Sequence, residues 1–222
     1  MTKSRASAAA IVLLALILDA GCSNWRGAGF RASGPEMSRL RHELALRPGM
    51  SVADVGAGGG ALTVALAAEV GPSGRVFSTD IDTQALEQIR ARVAAAALEN
   101  VTVVQAHPRD TGLPSSCCDA LVLRRVYHHL SEPASTNVDL LRALRRGGVL
   151  AIIDFPPMFS WLWPWSPKDT PANRPGHGVT ASVVVDEVTA SGFRLVKVIG
   201  DWPGRGPLTS YCAIFRKPEA GP

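Results

Sequence analysis

Two short stretches of this chain bring together residue types that do chemistry. In the first, Asp54 and Val55 lead into Gly56-Ala57-Gly58-Gly59-Gly60, and a second acid, Asp80, stands 20 residues beyond Gly60. Glycines spaced in this way let a backbone approach a ligand where any side chain would clash, so something flat or phosphate-like is expected to dock on the loop. A carboxylate such as Asp80 can accept hydrogen bonds from two ribose hydroxyls. In the second stretch, Tyr127-His128-His129 offers two imidazoles suited to proton transfer near neutral pH and one aromatic face.

A glycine loop of this kind needs a strand leading in and a helix leading out. Met50 to Val55 is short and apolar, and Ala61 to Val70 is rich in Ala and Leu, so strand, loop and helix is the local reading. Two cofactor classes use that arrangement: dinucleotides with G-x-G-x-x-G, and S-adenosylmethionine with an acid followed by G-x-G-x-G. The spacing here is the latter. Asp80 does not separate the two, because dinucleotide enzymes carry a similar acid.

The elements around the loop alternate. Pro35 to Leu46 reads as a lead-in helix closed by Pro48-Gly49. Arg75 to Thr79 is a second strand, and Asp82 or Thr83 caps a helix running to about Leu98. Val101 to Gln105 is a third strand, Asp119 to Leu123 a fourth, and Val149 to Asp154 a fifth. Between the last two, Ser135 to Leu144 is a helix ended by Arg145-Arg146-Gly147-Gly148. Strands apolar on both alternations belong to a parallel sheet covered on both faces. Thr180 to Ser191 is a further helix, and Phe193 to Gly200 with Thr209 to Phe215 form a hairpin-like pair. The expected fold is α/β: an open, doubly wound, mostly parallel sheet finished by two antiparallel strands.

Composition bounds the rest. At 222 residues, with 46% hydrophobic, 19% charged and 6% aromatic residues, one well-cored domain is expected, and a disordered, collagen-like or multi-span chain is excluded. The net charge of +4 comes from 23 Lys and Arg spread along the chain, which is too weak a basic signal for nucleic acid. None of the four cysteines has a zinc-like C-x-x-C spacing, so no metal site is expected.

Residues 1–22 stand apart as a leader. Lys3 and Arg5 precede the uncharged run Ala6 to Leu18, and Asp19-Ala20-Gly21-Cys22 follows. This reads as a signal peptide, too short to span a bilayer permanently. Leu18-Asp19-Ala20-Gly21-Cys22 resembles a bacterial lipobox, in which the Cys is lipidated, although Asp19 stands where an aliphatic residue is usual. The readings that remain open are a lipoprotein, a signal without lipid, and an internal start such as Met37. Membrane association through the N-terminus follows from the first, a cytoplasmic protein from the last. Residues 23–34 would be a linker and 35–218 the domain.

Three segments taken in order resemble the successive motifs of class I S-adenosylmethionine-dependent methyltransferases. They are Val52 to Gly60, Ser78-Thr79-Asp80-Ile81-Asp82, and Leu144 to Leu150. The resemblance runs from about Pro35 to Pro218 and implies a Rossmann-like fold with a seven-stranded sheet, S-adenosyl-L-methionine as cofactor, and methyl transfer. Carried over residue by residue, it implies that Asp54 meets the methionine amino end, that Gly56, Ala57, Gly58 and Gly60 let the cofactor approach, and that Asp80 holds the ribose diol. Ile81 would pack on adenine, unless it is a core aliphatic. In the loop after the third strand, Ala106-His107 replaces the usual Gly-Asp pair, which leaves Asp110 as the candidate for the adenine contact or as a plain loop carboxylate.

The end of the fourth strand is where this family meets its acceptor. Val126-Tyr127-His128-His129-Leu130 resembles a group of small bacterial members. His128 or His129 could serve as a base when the acceptor carries a proton, and Tyr127 could line the methyl site or belong to the core. Asp154-Phe155-Pro156-Pro157 superficially resembles a nucleic-acid amino-methyltransferase motif, but it lies on the fifth strand and Phe155 interrupts it, so that substrate class is disfavoured. His177 stands where relatives place a lid residue. Met158 to Trp165 concentrates three tryptophans, including Trp161 and Trp165, either as a lid over the domain's own cavity or as a loop dipping into lipid headgroups. The expected acceptor is a small or lipid-like molecule. The rival expectation is an envelope lipoprotein that keeps the fold without turnover, because a cofactor made in the cytosol and charged does not cross a bilayer unaided.

Overall fold

Strands whose residues are apolar on both sides need helices on both sides, and the chain supplies them in alternation. The computed structural model describes residues 34–157, 178–203 and 210–219. In chain order these form α1 (Gly34–Glu43), β1 (Ser51–Val55), α2 (Ala61–Val70), β2 (Arg75–Asp80), α3 (Thr83–Ala95), β3 (Val101–Gln105), β4 (Cys118–Arg124), a 3-10 turn (Tyr127–His129), α4 (Pro133–Ala143), β5 (Leu144–Asp154), α5 (Ala181–Ala190), β6 (Arg194–Trp202) and β7 (Ser210–Arg216). The seven strands make one sheet in the order β3-β2-β1-β4-β5-β7-β6. β1 to β5 are mutually parallel, and β7 runs antiparallel between β5 and β6. This is the expected doubly wound, Rossmann-like sheet with an antiparallel end.

Two apolar layers flank it. On one face Leu121, Leu123, Leu150 and Ile152 of the central strands meet Leu140 of α4 and Val184 and Val188 of α5. On the other, Val52, Val122 and Ile153 meet Leu40 of α1 and Leu62 and Leu66 of α2. Leu66 is wholly buried, and truncation of such a side chain to Ala costs about 2–5 kcal/mol. Both faces are therefore load-carrying, and the functional surface is left to the strand ends.

The register sets those ends flush. Val55 pairs with Thr79 on one side and with Leu123 on the other, and Leu123 pairs with Ile152. The loops after β1, β2, β4 and β5 consequently share one edge, and the strand order reverses between β1 and β4, where open α/β sheets bind ligands.

The expected boundaries need one substantial correction. Leu144 to Gly148 were read as the end of a helix and its glycine cap, but they are already strand: Leu144 leaves the helix at φ −73°, ψ 143° and pairs with Cys118. The Lys217 N–H donates to the Gly148 carbonyl, and the Gly147 N–H donates to that of Lys217, so the end of β7 draws this segment into the sheet. Smaller shifts shorten α1 to Glu43 and α3 to Ala95, with Ala97 in left-handed backbone just beyond. The leader with Cys22, the Trp161 to Trp165 loop and His177 lie outside the described residues.

Candidate functional site

The glycines of the first loop are glycine for three different reasons. At Gly56, with φ +70°, a Cβ would stand 2.5 Å from Cγ2 of Val126, so the loop packs directly on the turn that follows β4. At Gly60, the left-handed N-cap of α2, a Cβ would stand 3.1 Å from Cγ1 of Ile89, which sets the approach of α2 to α3. At Gly58, with φ +53°, a Cβ would meet nothing within 4 Å. Of these three, Gly58 alone borders open space; Gly56 and Gly60 are required by packing as well as by their positive φ. The N–H groups of Gly56 and Ala57 both donate to the Thr79 carbonyl, at 2.8 and 2.9 Å, which ties the loop to the end of β2.

Asp80 sits opposite that open position. Its Oδ2 accepts from the Gly58 N–H at 2.8 Å and its Oδ1 from the Asp82 N–H at 3.0 Å. Each carboxylate oxygen has more than one acceptor direction, so a held carboxylate still has capacity for hydroxyl donors. Beside it Ile81 is 63% exposed, which rules out the core alternative for this residue. The Gln105 side-chain amide donates to the Ile81 carbonyl at 2.9 Å and so fixes the backbone under that exposed side chain. Asp110 is exposed and accepts from the Gly112 N–H at 2.8 Å, a turn-forming role within its own loop.

Asp54 is of another kind. It is 2% exposed and accepts from the Thr63 hydroxyl at 2.6 Å; Thr63 also lies 2.8 Å from the Ser78 hydroxyl. Burial pushes the Asp54 carboxyl up to about 6, with the Thr63 hydrogen bond acting in the opposite sense. Thr63 reaches it because α2 begins immediately after the glycine loop and runs back over β1.

The turn after β4 separates three adjacent side chains. Tyr127 is a core residue: its ring is wholly buried, its hydroxyl donates to Glu187 Oε2 at 2.9 Å and accepts from Asn137 Nδ2 at 2.8 Å, so it joins α4 to α5. His129 is exposed. His128 is buried between them, and its Nδ1 lies 2.8 Å from Oδ1 of Asp154 at the end of β5. Just before the turn Arg125 takes left-handed backbone, φ +58°, and its N–H donates to the Ile153 carbonyl at 2.7 Å. Arg124 projects to α1, where its Nε donates to the buried Glu36 carboxylate at 2.9 Å.

Residues 53–152 match the family model described as a methyltransferase domain. Over that stretch the chain is similar to methyltransferase domains. Over 135 residues it is 30% identical to a ubiquinone/menaquinone biosynthesis C-methyltransferase of Bordetella parapertussis, covering 56% of this chain and 52% of that protein. Over 115 residues it is 30% identical to a demethylmenaquinone methyltransferase of Symbiobacterium thermophilum, covering 51% of this chain and 46% of that protein. The chain thus spans about half the length of these curated relatives. Its fold is similar to the crystal structure of a SAM-dependent methyltransferase from Aquifex aeolicus, with a TM-score of 0.72 at 23% identity over 87% of this chain and 97% of that one.

The strand ends bring Asp54, Gly58, Asp80 and Ile81 to one edge, with the His128 turn packed on the same loop through Val126 and Gly56. Asp110 stays on its own loop, and Tyr127 turns inward. Sequence reasoning missed Glu36, Gln105 and Asp154 as participants. Gln105 ends the third strand one residue before the substituted pair and was available as a signal. The pairing of Glu36 with Arg124 spans 88 residues and had none.

Proposed function

We propose that this chain is a methyltransferase that binds S-adenosylmethionine along Gly58, Asp80 and Ile81 and transfers its methyl group to a small, lipid-like acceptor. The observation that carries the reading is the Asp80 carboxylate, held by the Gly58 and Asp82 N–H groups between open space at Gly58 and the exposed Ile81 side chain. The cofactor consists of an adenine, a ribose diol and a cationic amino-acid end, and two parts have an exposed counterpart here, an aliphatic for the ring and a fixed acceptor for the diol, while Asp54, buried under the loop and held by Thr63, would meet the positive end only through water or the loop backbone. When bound, it supplies a methyl carbon on a positively charged sulfur. Asp80 orients the sugar, the open Gly58 position admits the backbone-hugging part of the ligand, and the His128 turn borders the space from the β4 side. In-line displacement at carbon draws most of its acceleration from positioning, which an array fixed by backbone hydrogen bonds supplies.

The acceptor class rests on two supports. Two of the relatives are named for ubiquinone, menaquinone and demethylmenaquinone, all lipid-soluble. A leader that stays attached and leaves the domain of residues 35–218 facing the cytosol would bring the site to a membrane on the side where the cofactor is made. Incubating the full-length chain with S-adenosylmethionine labelled in the methyl group and demethylmenaquinone in detergent tests both parts. Label in the organic-extractable product supports the reading; label in neither that product nor one from a panel of water-soluble phenols contradicts it. Intact-mass measurement of the protein expressed in a bacterial host tests Cys22: an unprocessed chain is the expected result, and a lipid-sized increment on a chain beginning at Cys22 supports the rival envelope lipoprotein without turnover.

A further inference from the structure

At the sheet edge opposite the glycine loop, two thiols stand side by side where the chain enters β4. Cys117 is half-buried, and Cys118, the first residue of the strand, is wholly buried. A tight turn places them. Ser116 takes left-handed backbone, φ +51°, and its N–H donates to the Arg142 carbonyl at the end of α4, at 2.9 Å. Cys118 then pairs with Leu144 in the sheet and belongs to the core, while Cys117 is left at the margin of that core.

Cys117 lines a groove of about 990 Å³ that follows the starts of β1 to β4, with Arg75, Glu99, Ser115 and Arg145 also on its walls. A volume of this order accommodates a small ligand. The Cys118 thiol donates to the Cys117 sulfur and lowers its pKa; burial opposes this, and the guanidinium groups of Arg145 and Arg142 add to the lowering. Those two cations are themselves paired, Arg145 with Asp119 and Arg142 with Asp139, each at 2.6 Å. The same contact, together with burial, pushes the Cys118 thiol up, so it stays protonated and remains a donor.

A thiolate is the nucleophile in exchange with disulfides, and the rate follows its thiolate fraction and its access. Cys117 has both, and Cys118 has neither. A bridge between the two neighbours would require strained geometry, and a protonated, buried thiol does not attack, so Cys118 leaves an adduct on Cys117 in place.

We propose that Cys117 is a modification site that takes a low-molecular-weight thiol as a mixed disulfide, with the adjoining groove holding the added group and Cys118 serving as hydrogen-bond donor. The Cys117 thiolate attacks one sulfur of a small disulfide. The bond between the two sulfurs of that molecule breaks, a new one forms to Cys117, and the other half leaves as a thiolate that takes a proton from water. The small disulfide is the oxidant: the Cys117 sulfur is oxidised and the departing half reduced. This inference does not rest on the methyltransferase reading.

Incubating the full-length chain with glutathione disulfide, then following the tryptic peptide from Asp110 to Arg124 by mass spectrometry, tests the proposal. The expected result is a single glutathione adduct, removed by dithiothreitol and absent from that peptide in Cys117→Ser. Alkylation of the same peptide by iodoacetamide between pH 5 and pH 10 should show a midpoint below the ordinary thiol value of about 8.5. Cys118→Ala should move the midpoint up and slow the reaction at pH 7 by about 2- to 10-fold, the effect of one hydrogen bond. Cys118→Ser keeps a donor and should retain most of the wild-type rate. No adduct on the peptide, an adduct that persists in Cys117→Ser, or a wild-type midpoint at or above about 8.5 overturns the proposal, as does an unchanged midpoint in a folded Cys118→Ala. If Cys118→Ala does not fold, the wild-type midpoint and Cys117→Ser decide.

Discussion

The Asp80 carboxylate accepts a hydrogen bond from the backbone N–H of Gly58 at 2.8 Å, joining the end of β2 to the middle of the glycine loop. The same carboxylate holds the Asp82 N–H, so the acid shapes the loop as well as facing the ligand. Asp80→Ala removes both bonds. Hydrogen exchange at the Gly58 amide should quicken, and the unfolding free energy should fall by about 1–2 kcal/mol, the usual net worth of such bonds. Unchanged protection at Gly58 would contradict the pairing.

Asp54 makes stability depend on pH in a direction opposite to that of a salt-bridged acid. Burial raises its folded value to about 6 from the ordinary 3.8, so between those values the folded chain binds more protons than the unfolded one. Stability from this group is therefore present at low pH and is lost as pH rises from about 4 to about 6, for a total near 3 kcal/mol at 1.36 kcal/mol per pH unit. Asp54→Asn keeps an acceptor for Thr63 and should lack this loss, so that at pH 7.5 it unfolds at higher denaturant than the wild type. A bound cation favours the ionised carboxylate, so wild-type affinity for S-adenosylmethionine should tighten as pH rises through about 6, and the variant should show neither the slope nor the wild-type affinity. Denaturant titrations and calorimetric binding at pH 5, 6 and 7.5 check both statements.

The Glu36 and Arg124 pair joins α1 to the end of β4 in a place where water is mostly excluded, with side-chain exposures of 6% and 13%. Trp202 Nε1 adds a longer contact to the same carboxylate, at 3.4 Å. Breaking one side of a buried pair strands the other charge. Glu36→Ala should cost about 3 kcal/mol in chemical denaturation, and Glu36→Ala combined with Arg124→Met should recover part of it. An additive double variant would contradict the coupling.

What was legible in the sequence and what was not divides along the range of the interactions. The glycine loop, Asp80 and the alternation of elements were readable because each depends on neighbours within a few residues: Gly60 starts α2, and Asp82 caps α3 by accepting from the Gln84 N–H. The strand character of Leu144 to Gly148 was hidden because the same residues suit a glycine-capped helix end, and the distant Cys118 and Lys217 decide between the two. Asp154 and His128 lie 26 residues apart and meet because β4 and β5 are adjacent and end flush. The Ile81 side chain was ambiguous because a core aliphatic and an exposed one look alike in sequence. The two alternatives for Tyr127 likewise needed the positions of Asn137 and Glu187.

Tyr127→Phe separates a structural hydroxyl from a catalytic one. The hydroxyl bridges Asn137 on α4 and Glu187 on α5, so its removal should lower stability by about 1–2 kcal/mol. Affinity for S-adenosylmethionine should remain within about twofold of wild type. A variant of undiminished stability whose cofactor affinity falls tenfold would instead place the hydroxyl in the binding site.

The central claim, that the Gly58, Asp80 and Ile81 edge is a cofactor site, is tested most directly by calorimetric titration of S-adenosylmethionine into the full-length chain and into Asp80→Ala. The account predicts saturable one-to-one binding by the wild type, weakened about 10- to 150-fold in the variant, as expected when hydrogen bonds to a charged group worth about 1.5–3 kcal/mol are removed. No binding by a folded wild-type chain, or equal binding by the two proteins, would contradict it.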